Sequence, residues 1–260
     1  MFEWYWVFVF YLFIIHIRSV VVTIYFHRAI AHGSIEIART LDEFFKFLTW
    51  TVDMYSENYK KEYRAGHIKH HRYSDTFEDP HSPYWFTLRQ IVFPNPTRQG
   101  DSYFLTDEEI ESYTKNIKIY VTWLDLHIYR LYQDKGIWLW HILNFILFGP
   151  IAALISLLTL KFVLNNFLQF LNPYLMHKIG YKSTQGRVTP NDKSKNIFPI
   201  GVLLGGEELH SNHHNFMSDA KFSKKWWEFD VGWLYIKILK YFKLLTITKD
   251  RFNKPNSLTR

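Results

Sequence analysis

WYWVFVFYLFIIHIRSVVVTIYF, residues 4–26, runs directly into HRAIAH, residues 27–32, and the two parts ask for opposite surroundings. The first is 23 residues long with only His16 and Arg18 titratable, close to the ~20 that a helix needs to cross a bilayer core. The second carries two imidazoles, which want water or a metal. A cleaved leader would have a basic start, a shorter apolar core and a small-residue exit, so the expectation is a retained span that delivers His27 to the membrane surface. Arg18, deep in the run, either faces protein or a wet cavity, or snorkels along a tilted helix.

Composition agrees with an anchor bearing a polar cap. The 260 residues are 48% hydrophobic and 19% aromatic, heavy for a water-soluble protein, yet the mean hydropathy of -0.16 is too low for a chain made mostly of spans. With no cysteine, disulfides, iron–sulfur clusters, thiolate zinc sites and a catalytic thiol are excluded, so any metal is held by histidine or oxygen. The net charge of +7 comes without a nucleic-acid motif, and membrane headgroups or an acidic partner explain it without nucleic acid.

Farther along, residues 41–55 have helical apolar spacing but are too short to cross, which predicts a helix lying in the interface. Residues 107–133 read as polar helices at the membrane surface. From Trp138 to Met176 the only formal charge in 39 residues is Lys161, enough for two spans, about 138–156 and 157–176, with Gly149-Pro150 as a kink. The tail 221–260 holds ten Lys or Arg against Glu228, Asp230 and Asp250, which puts it on the cytoplasmic side. Within it Lys237, Lys240 and Lys243 oppose Trp233, Leu234, Leu239 and Leu245, the pattern of an amphipathic surface helix or of the solvated face of an ordinary core helix. The predicted fold is therefore one all-α integral membrane domain, 1–260, with three transmembrane helices, interfacial helices and a cytoplasmic cap formed by 27–133 and 177–260.

Eight of 13 histidines fall in three clusters: His27 and His32 in HRAIAH, His67, His70 and His71 in HIKHH, and His210, His213 and His214 in HSNHH. In H-x-x-H-H on a helix, the first residue and those at i+3 and i+4 share a face, so the rings converge on one metal or on two neighbouring ones. His27 and His32, about 140° apart on an ideal helix, are expected to straddle a helix end or serve different ions. Eight imidazoles exceed the four ligands of a zinc site, which argues for two metals. Imidazole suits zinc, copper, iron and nickel alike, but H-E-x-x-H is absent, and a redox metal acting on an alkyl chain suits a site beside apolar spans. Glu207, Glu208, Asp75 and Asp79 lie near enough to hydrogen-bond ligand rings or to be plain surface carboxylates. His16, His81, His127 and His141, outside the clusters, read as surface or internally satisfied residues.

The boxes HRAIAH, HIKHHRYSDTFEDPHSP and GGEELHSNHH, flanking an apolar hairpin, resemble the membrane fatty acid desaturases, whose eukaryotic members include stearoyl-CoA desaturase. The run AKFSKKWWEFDVGWLYIKIL, 220–239, is similar to the bacterial aerobic delta-9 branch. The resemblance implies nine histidines holding two irons, the ninth just after the last span, where His177 stands in LNPYLMHKIGY. It further implies activation of O2 with two electrons from outside, removal of hydrogens from adjacent methylenes, and a cis double bond plus water. The saturated chain would be carried on coenzyme A or a phospholipid and held in a hydrophobic tunnel. One departure concerns the asparagine usually four residues before the ninth histidine, where this chain has Pro173; Asn172, one position earlier, is its nearest counterpart. No donor domain is recognisable in the chain, so the expected electron donor is a separate protein docking on basic surface such as Lys237, Lys240 and Lys243. The resemblance places the enzyme in a bacterial inner membrane with its active site on the cytoplasmic face. Two other readings are a di-iron membrane hydroxylase, separated by a hydroxylated product without an alkene, and a non-enzymatic metal-binding membrane protein, separated by bound zinc and unchanged membrane lipids.

Overall fold

The structure is a computed structural model that describes residues 4–56, 58–80, 82–85, 87, 89, 105–115, 117, 119–164, 174–183, 189–197 and 201–248. His81, Asn172 and Pro173 lie outside the described residues.

The N-terminal stretch forms one helix, α1, Tyr5–Ala31, of 27 residues, about 40 Å at 1.5 Å per residue and ample for a ~30 Å hydrocarbon core. It is α-helical through Val20 and π-helical over Val21–Ala31. Two side-chain contacts accompany the widening. The Arg28 guanidinium folds back onto the hydroxyl of Thr23, five residues earlier, while the same hydroxyl donates to the Gly205 carbonyl at 3.0 Å. Groups inserted along the ladder are a usual source of such a change in winding. Arg64 then caps the end of the helix, donating to the carbonyls of Ile30 and Ala31, both at 2.7 Å, which lack intrahelical donors. Arg18 is buried and donates to the Val52 carbonyl at 2.7 Å, so it faces protein rather than snorkelling.

After α1, strand β1 (Ile35–Ile37) precedes α2 (Arg39–Thr51), α3 (Tyr59–Tyr73), α4 (Asp107–Thr114) and a short π-turn, α5 (Asp125–Tyr129). Lys46 of α2 is buried and held by Asp125 at 2.7 Å and Glu43 at 2.9 Å, which clamps α5 onto α2. Lys69 of α3 reaches Glu109 of α4 at 2.9 Å.

The apolar hairpin differs from the even division of 138–176 into two spans. It consists of α6 (Trp138–Phe148) and α7 (Pro150–Phe162), 11 and 13 residues long, reversing at Gly149. The first is about 16 Å long; the second is about 20 Å to Phe162 and stays helical through Leu164, the last described residue before 174. Among the described residues α1 is the one helix long and apolar enough to cross. The hairpin packs on the first half of α1 through Ile14, Trp140 and Leu160, and Tyr11 and Thr159 share a 2.8 Å hydrogen bond.

The remaining elements are α8 (Met176–Lys178), α9 (Gly201–Leu204), α10 (His210–Asn215), α11 (Val231–Tyr241) and β2 (Leu245–Ile247). On α11, Lys237 and Lys240 face solvent with Lys243 beyond, as the spacing predicts, but Leu234 joins them on the exposed side and Ile236 takes the buried one. A purely helical fold is not what forms: β2 pairs antiparallel with β1, Ile35 opposite Ile247, turning Ile35 and Leu245 into the core. This clip ties the segment after α11 to the turn that follows His32. Around it the second half of α1, with Ile24, Tyr25 and Phe26, packs with Phe45, Tyr59 and Ile236 to make the cap's own core.

Candidate metal centre

His27 stands in the π-helical end of α1 and His32 is its C-cap. In a π-turn the N–H of residue i+5 bonds the carbonyl of residue i, and His32 N donates to His27 O at 3.1 Å. Residues five apart are thereby brought one turn apart, and the rings sit 5.0 Å centre to centre. The 140° separation of an ideal α-helix does not apply, and the two imidazoles meet in one group.

The helical boxes divide between two groups. Along α3, His67 and His71 share a face at i,i+4 and join His27, His32 and His213; His70, one position round, joins His177, His210 and His214. HSNHH divides the opposite way, with the i,i+4 pair His210 and His214 in the second group and His213 in the first. In each group the ring nitrogens lie within 4.8 Å of one another. The groups adjoin, the His71 and His214 rings being 4.3 Å apart. Seven of the nine rings are buried, and His32 and His67 are half-buried.

What surrounds the rings fixes which nitrogen faces inward. His27 Nδ1 donates to Glu207 at 2.5 Å, His70 Nδ1 to Asp79 at 2.8 Å and His177 Nδ1 to Asp75 at 2.8 Å. His214 Nδ1 faces Asp192 at 3.3 Å. A neutral imidazole that donates from Nδ1 carries a bare lone pair on Nε2. The Nε2 atoms of the nine rings meet one another: His27 with His213 at 2.8 Å, His32 with His67 at 2.8 Å, His71 with His213 at 2.8 Å, His177 with His210 at 3.0 Å, and His70 with His214 at 3.2 Å. In the His70–His214 pair both Nδ1 atoms face carboxylates, so the two Nε2 lone pairs face each other and repel unless a cation lies between them. Two nitrogens ~2.05 Å from one ion are about 2.9 Å apart at a right angle and about 3.4 Å at the tetrahedral angle. The observed edges, 2.8–3.2 Å, fall in the range that two nitrogens sharing one ion would span.

Protonation is also resisted. Burial, reinforced by the neighbouring rings, holds His67, His71, His210 and His213 well below the ordinary imidazole range. Burial brings His214 down to about 4 against the pull of Asp192. For His70 burial acts in the same direction, but the Asp79 carboxylate outweighs it and raises the value. Neutral imidazoles grouped in this way are what a metal such as iron, copper or zinc takes up, and the donor set fits two ions.

A model of the fatty acid desaturase family matches residues 3–231. The chain belongs to the fatty acid desaturase family. Two cyanobacterial relatives are both called sn-1 stearoyl-lipid 9-desaturase. The one from Synechocystis sp. is 30% identical over 237 residues, covering 88% of this chain and 66% of that protein. The one from Anabaena variabilis is 25% identical over 232 residues, covering 88% and 78%. An acyl-CoA C20 Delta5-desaturase from Anemone leveillei is 28% identical over 243 residues, covering 87% and 68%.

In this desaturase-family site, Glu207, Asp75 and Asp79 touch histidine rings. Glu208 does not: its buried carboxyl lies against Gly201, and burial raises it to about 8. Asn172 lies outside the described residues. His16 bonds the Tyr235 hydroxyl at 2.7 Å, His141 the Ser156 hydroxyl at 2.8 Å and His127 the Trp123 carbonyl at 3.0 Å, so each has a partner away from the centre. Sequence reasoning missed Asp192, and it missed the support behind Glu207. Fully buried Arg28 pairs with Asp230 at 2.9 Å, lies over the Phe222 ring at 3.6 Å, and stands 3.8 Å from Glu207. Asp230 also caps α11 through Trp233 N at 2.8 Å. The DVGW run thus reaches the first histidine group through the arginine of HRAIAH. GGEE permits the approach: Gly205 and Gly206 have φ of +70° and +96°, and a Cβ on Gly205 would stand 2.8 Å from the Thr23 methyl.

Proposed function

We propose that this chain is an O2-dependent fatty acyl desaturase that inserts a cis double bond at the delta-9 position of a saturated acyl chain. In this reading His27, His32, His67, His71 and His213 hold one iron, and His70, His177, His210 and His214 hold the other. The observation that carries it is the convergence of nine imidazoles, four of them with Nδ1 turned to a carboxylate, in two adjoining groups of a family member. Bound there, the irons supply the activation of O2 with two electrons from a separate donor protein.

The chain's own residues do the rest. Glu207, Asp79, Asp75 and Asp192 hold the Nδ1 protons of four rings and so keep Nε2 directed inward. Burial excludes water from the oxidising centre. The long apolar length of α1 ends at His27, which suits a substrate with no polar group at the reacting carbons. The delta-9 position follows the names of the two cyanobacterial relatives, and the carrier is a membrane lipid by the same likeness; the Anemone relative makes acyl-CoA and the delta-5 position the competing outcome. A bacterial inner membrane with the cap on the cytoplasmic face belongs to the same proposal, supported by the basic tail.

The test is expression in a host lacking desaturation, with gas chromatography of lipid-bound and coenzyme A-bound acyl chains and mapping of double bonds. A new delta-9 alkene in the lipid fraction is expected. A hydroxylated product without an alkene, or unchanged acyl chains from iron-loaded protein, would overturn the reading.

A further inference from the structure

Tyr55, Tyr59, Tyr63, His67 and His71 follow one another at intervals of four. The last four lie on α3, where that interval stacks side chains one turn apart on a single face. The Tyr63 ring is nearly parallel to the His67 imidazole, 8° between planes and 5.7 Å between centres. Phe26 bridges Tyr63 at 4.8 Å to Tyr59 at 5.4 Å. The contacts continue from Tyr59 to Tyr55 at 5.0 Å, to Tyr129 at 5.3 Å and to Trp50 at 5.6 Å. Trp50 is half-buried and touches Phe47, which is 37% exposed. An unbroken file of rings therefore joins the first histidine group to the surface.

Packing explains the rings but does not require the hydroxyls. Phenylalanine would fill the same space, whereas each buried phenol needs a partner. The Tyr55 hydroxyl donates to Asp125 at 2.9 Å. Asp125 is held as the anion by Lys46 at 2.7 Å and by the Thr122 N–H and hydroxyl, both at 2.8 Å. A tyrosine loses an electron most readily when a base takes its phenolic proton at the same time. Tyr55 has such a base, and tyrosine and tryptophan are the side chains most easily oxidised by one electron.

Resting on the desaturase reading, we infer that Tyr63, Tyr59, Tyr55 and Trp50 form an escape route through which the centre, oxidised with no acyl chain in place, draws electrons from the surface instead of from its own histidines. One electron passes from Tyr55 through Tyr59 and Tyr63 to the centre, and the Tyr55 proton moves to Asp125. An electron from Trp50 through Tyr129 refills Tyr55, Asp125 returns the proton, and a small thiol at the surface reduces Trp50. Two passages complete the balance: O2, two donor electrons, two protons and two thiols give two waters and one disulfide. In productive turnover the acyl chain's two C–H bonds supply the electrons that the thiols supply here.

The test uses full-length iron-loaded protein in detergent and hydrogen peroxide, which carries O2 and the two donor electrons together. Without acyl substrate, freeze-quenched samples of the native protein are expected to show a radical signal that narrows when tyrosine is ring-deuterated. Tyr55→Phe and Tyr63→Phe are expected to lose most of that signal and to at least double the oxidation of His67 and His71 read by mass spectrometry. Tyr241→Phe, at an exposed site, serves as control. With acyl substrate, Tyr55→Phe should keep the initial rate of alkene formation and make fewer turnovers before inactivation. A purely structural role would lower the melting temperature and leave radical yield and histidine oxidation unchanged, and that result overturns the inference. Alkene formation by native protein that yields no tyrosine radical also overturns it while leaving the desaturase reading intact; a radical lost in both variants, without alkene formation, contradicts the desaturase reading alone.

Discussion

Replacing Asp230 with alanine tests whether the far end of the chain holds the first histidine group in place. The carboxylate accepts from Arg28 at 2.9 and 3.1 Å, from Phe222 N at 2.7 Å and from Trp233 N at 2.8 Å. Removing one partner of a buried ion pair costs about 3–5 kcal/mol, because the other charge stays buried without compensation. Loss of the cap on α11 adds about 1 kcal/mol. The two terms share one side chain and do not simply sum, so a loss of about 4 kcal/mol is expected. Arg28 has a second carboxylate within reach, Glu207 at 3.8 Å. Drawn toward Arg28, Glu207 releases the Nδ1 proton of His27, and loss of such a partner typically costs 10- to 100-fold in metal affinity. Asp230→Asn, which can still cap the helix, should fall between the two proteins. The assay is guanidinium denaturation in detergent, followed by fluorescence, beside an iron-retention titration. Stability within about 1 kcal/mol of the native protein together with unchanged iron retention would refute this reasoning.

Four further outcomes are expected. Asp192→Asn should weaken iron binding by about 10- to 100-fold through loss of the His214 partner and also lower the melting temperature of the metal-free protein, because the buried carboxylate accepts from Ser74 and Ser194, as read by iron titration and calorimetry. Glu208 has a folded value of about 8, above its ordinary one, so its neutral form favours the native state below about pH 4.5 and that contribution is lost as pH rises through 8. Glu208→Gln should therefore gain stability over the native protein as pH increases from 5 to 8, measured by melting temperature; parallel curves would count against it. Gly149 has φ +84° and ψ -177°, a region nearly closed to other residues, so Gly149→Ala should cost about 1–3 kcal/mol although a methyl meets nothing within 4 Å. Neutralising Lys237, Lys240 and Lys243 together should slow turnover driven by the protein electron donor but not by peroxide, and normal donor-driven turnover would remove this surface as the docking site.

The histidine boxes were legible because their imidazoles sit one helical turn apart, a spacing that survives folding. Their division between two groups was not. It depends on the π-helical end of α1, which brings His32 under His27, and that winding coincides with Thr23 and Arg28 meeting each other and distant partners such as Gly205 and Asp230. Asp192 lies in a loop with no periodic pattern, 22 positions before the ring it faces, so nothing local marked it. Uniform hydropathy across 138–176 gives no signal for the point of reversal; Gly149-Pro150 marks it, but only the backbone shows a full turn rather than a kink. Strands of three residues are too short to leave a period of two, which is why the β1–β2 clip appears only in the structure. Arg18 had two readings from burial cost alone, and the Val52 carbonyl decides between them.

The central claim is that the two imidazole groups each hold an iron. Iron per chain, measured by mass spectrometry of the metal after purification and reconstitution, tests it most directly. The native protein should hold about two, and His213→Ala, which removes a ligand from the first group only, should fall to about one while His70, His177, His210 and His214 keep the other. A native protein holding one iron or none, or a His213→Ala protein that keeps both with undiminished affinity, would contradict the account.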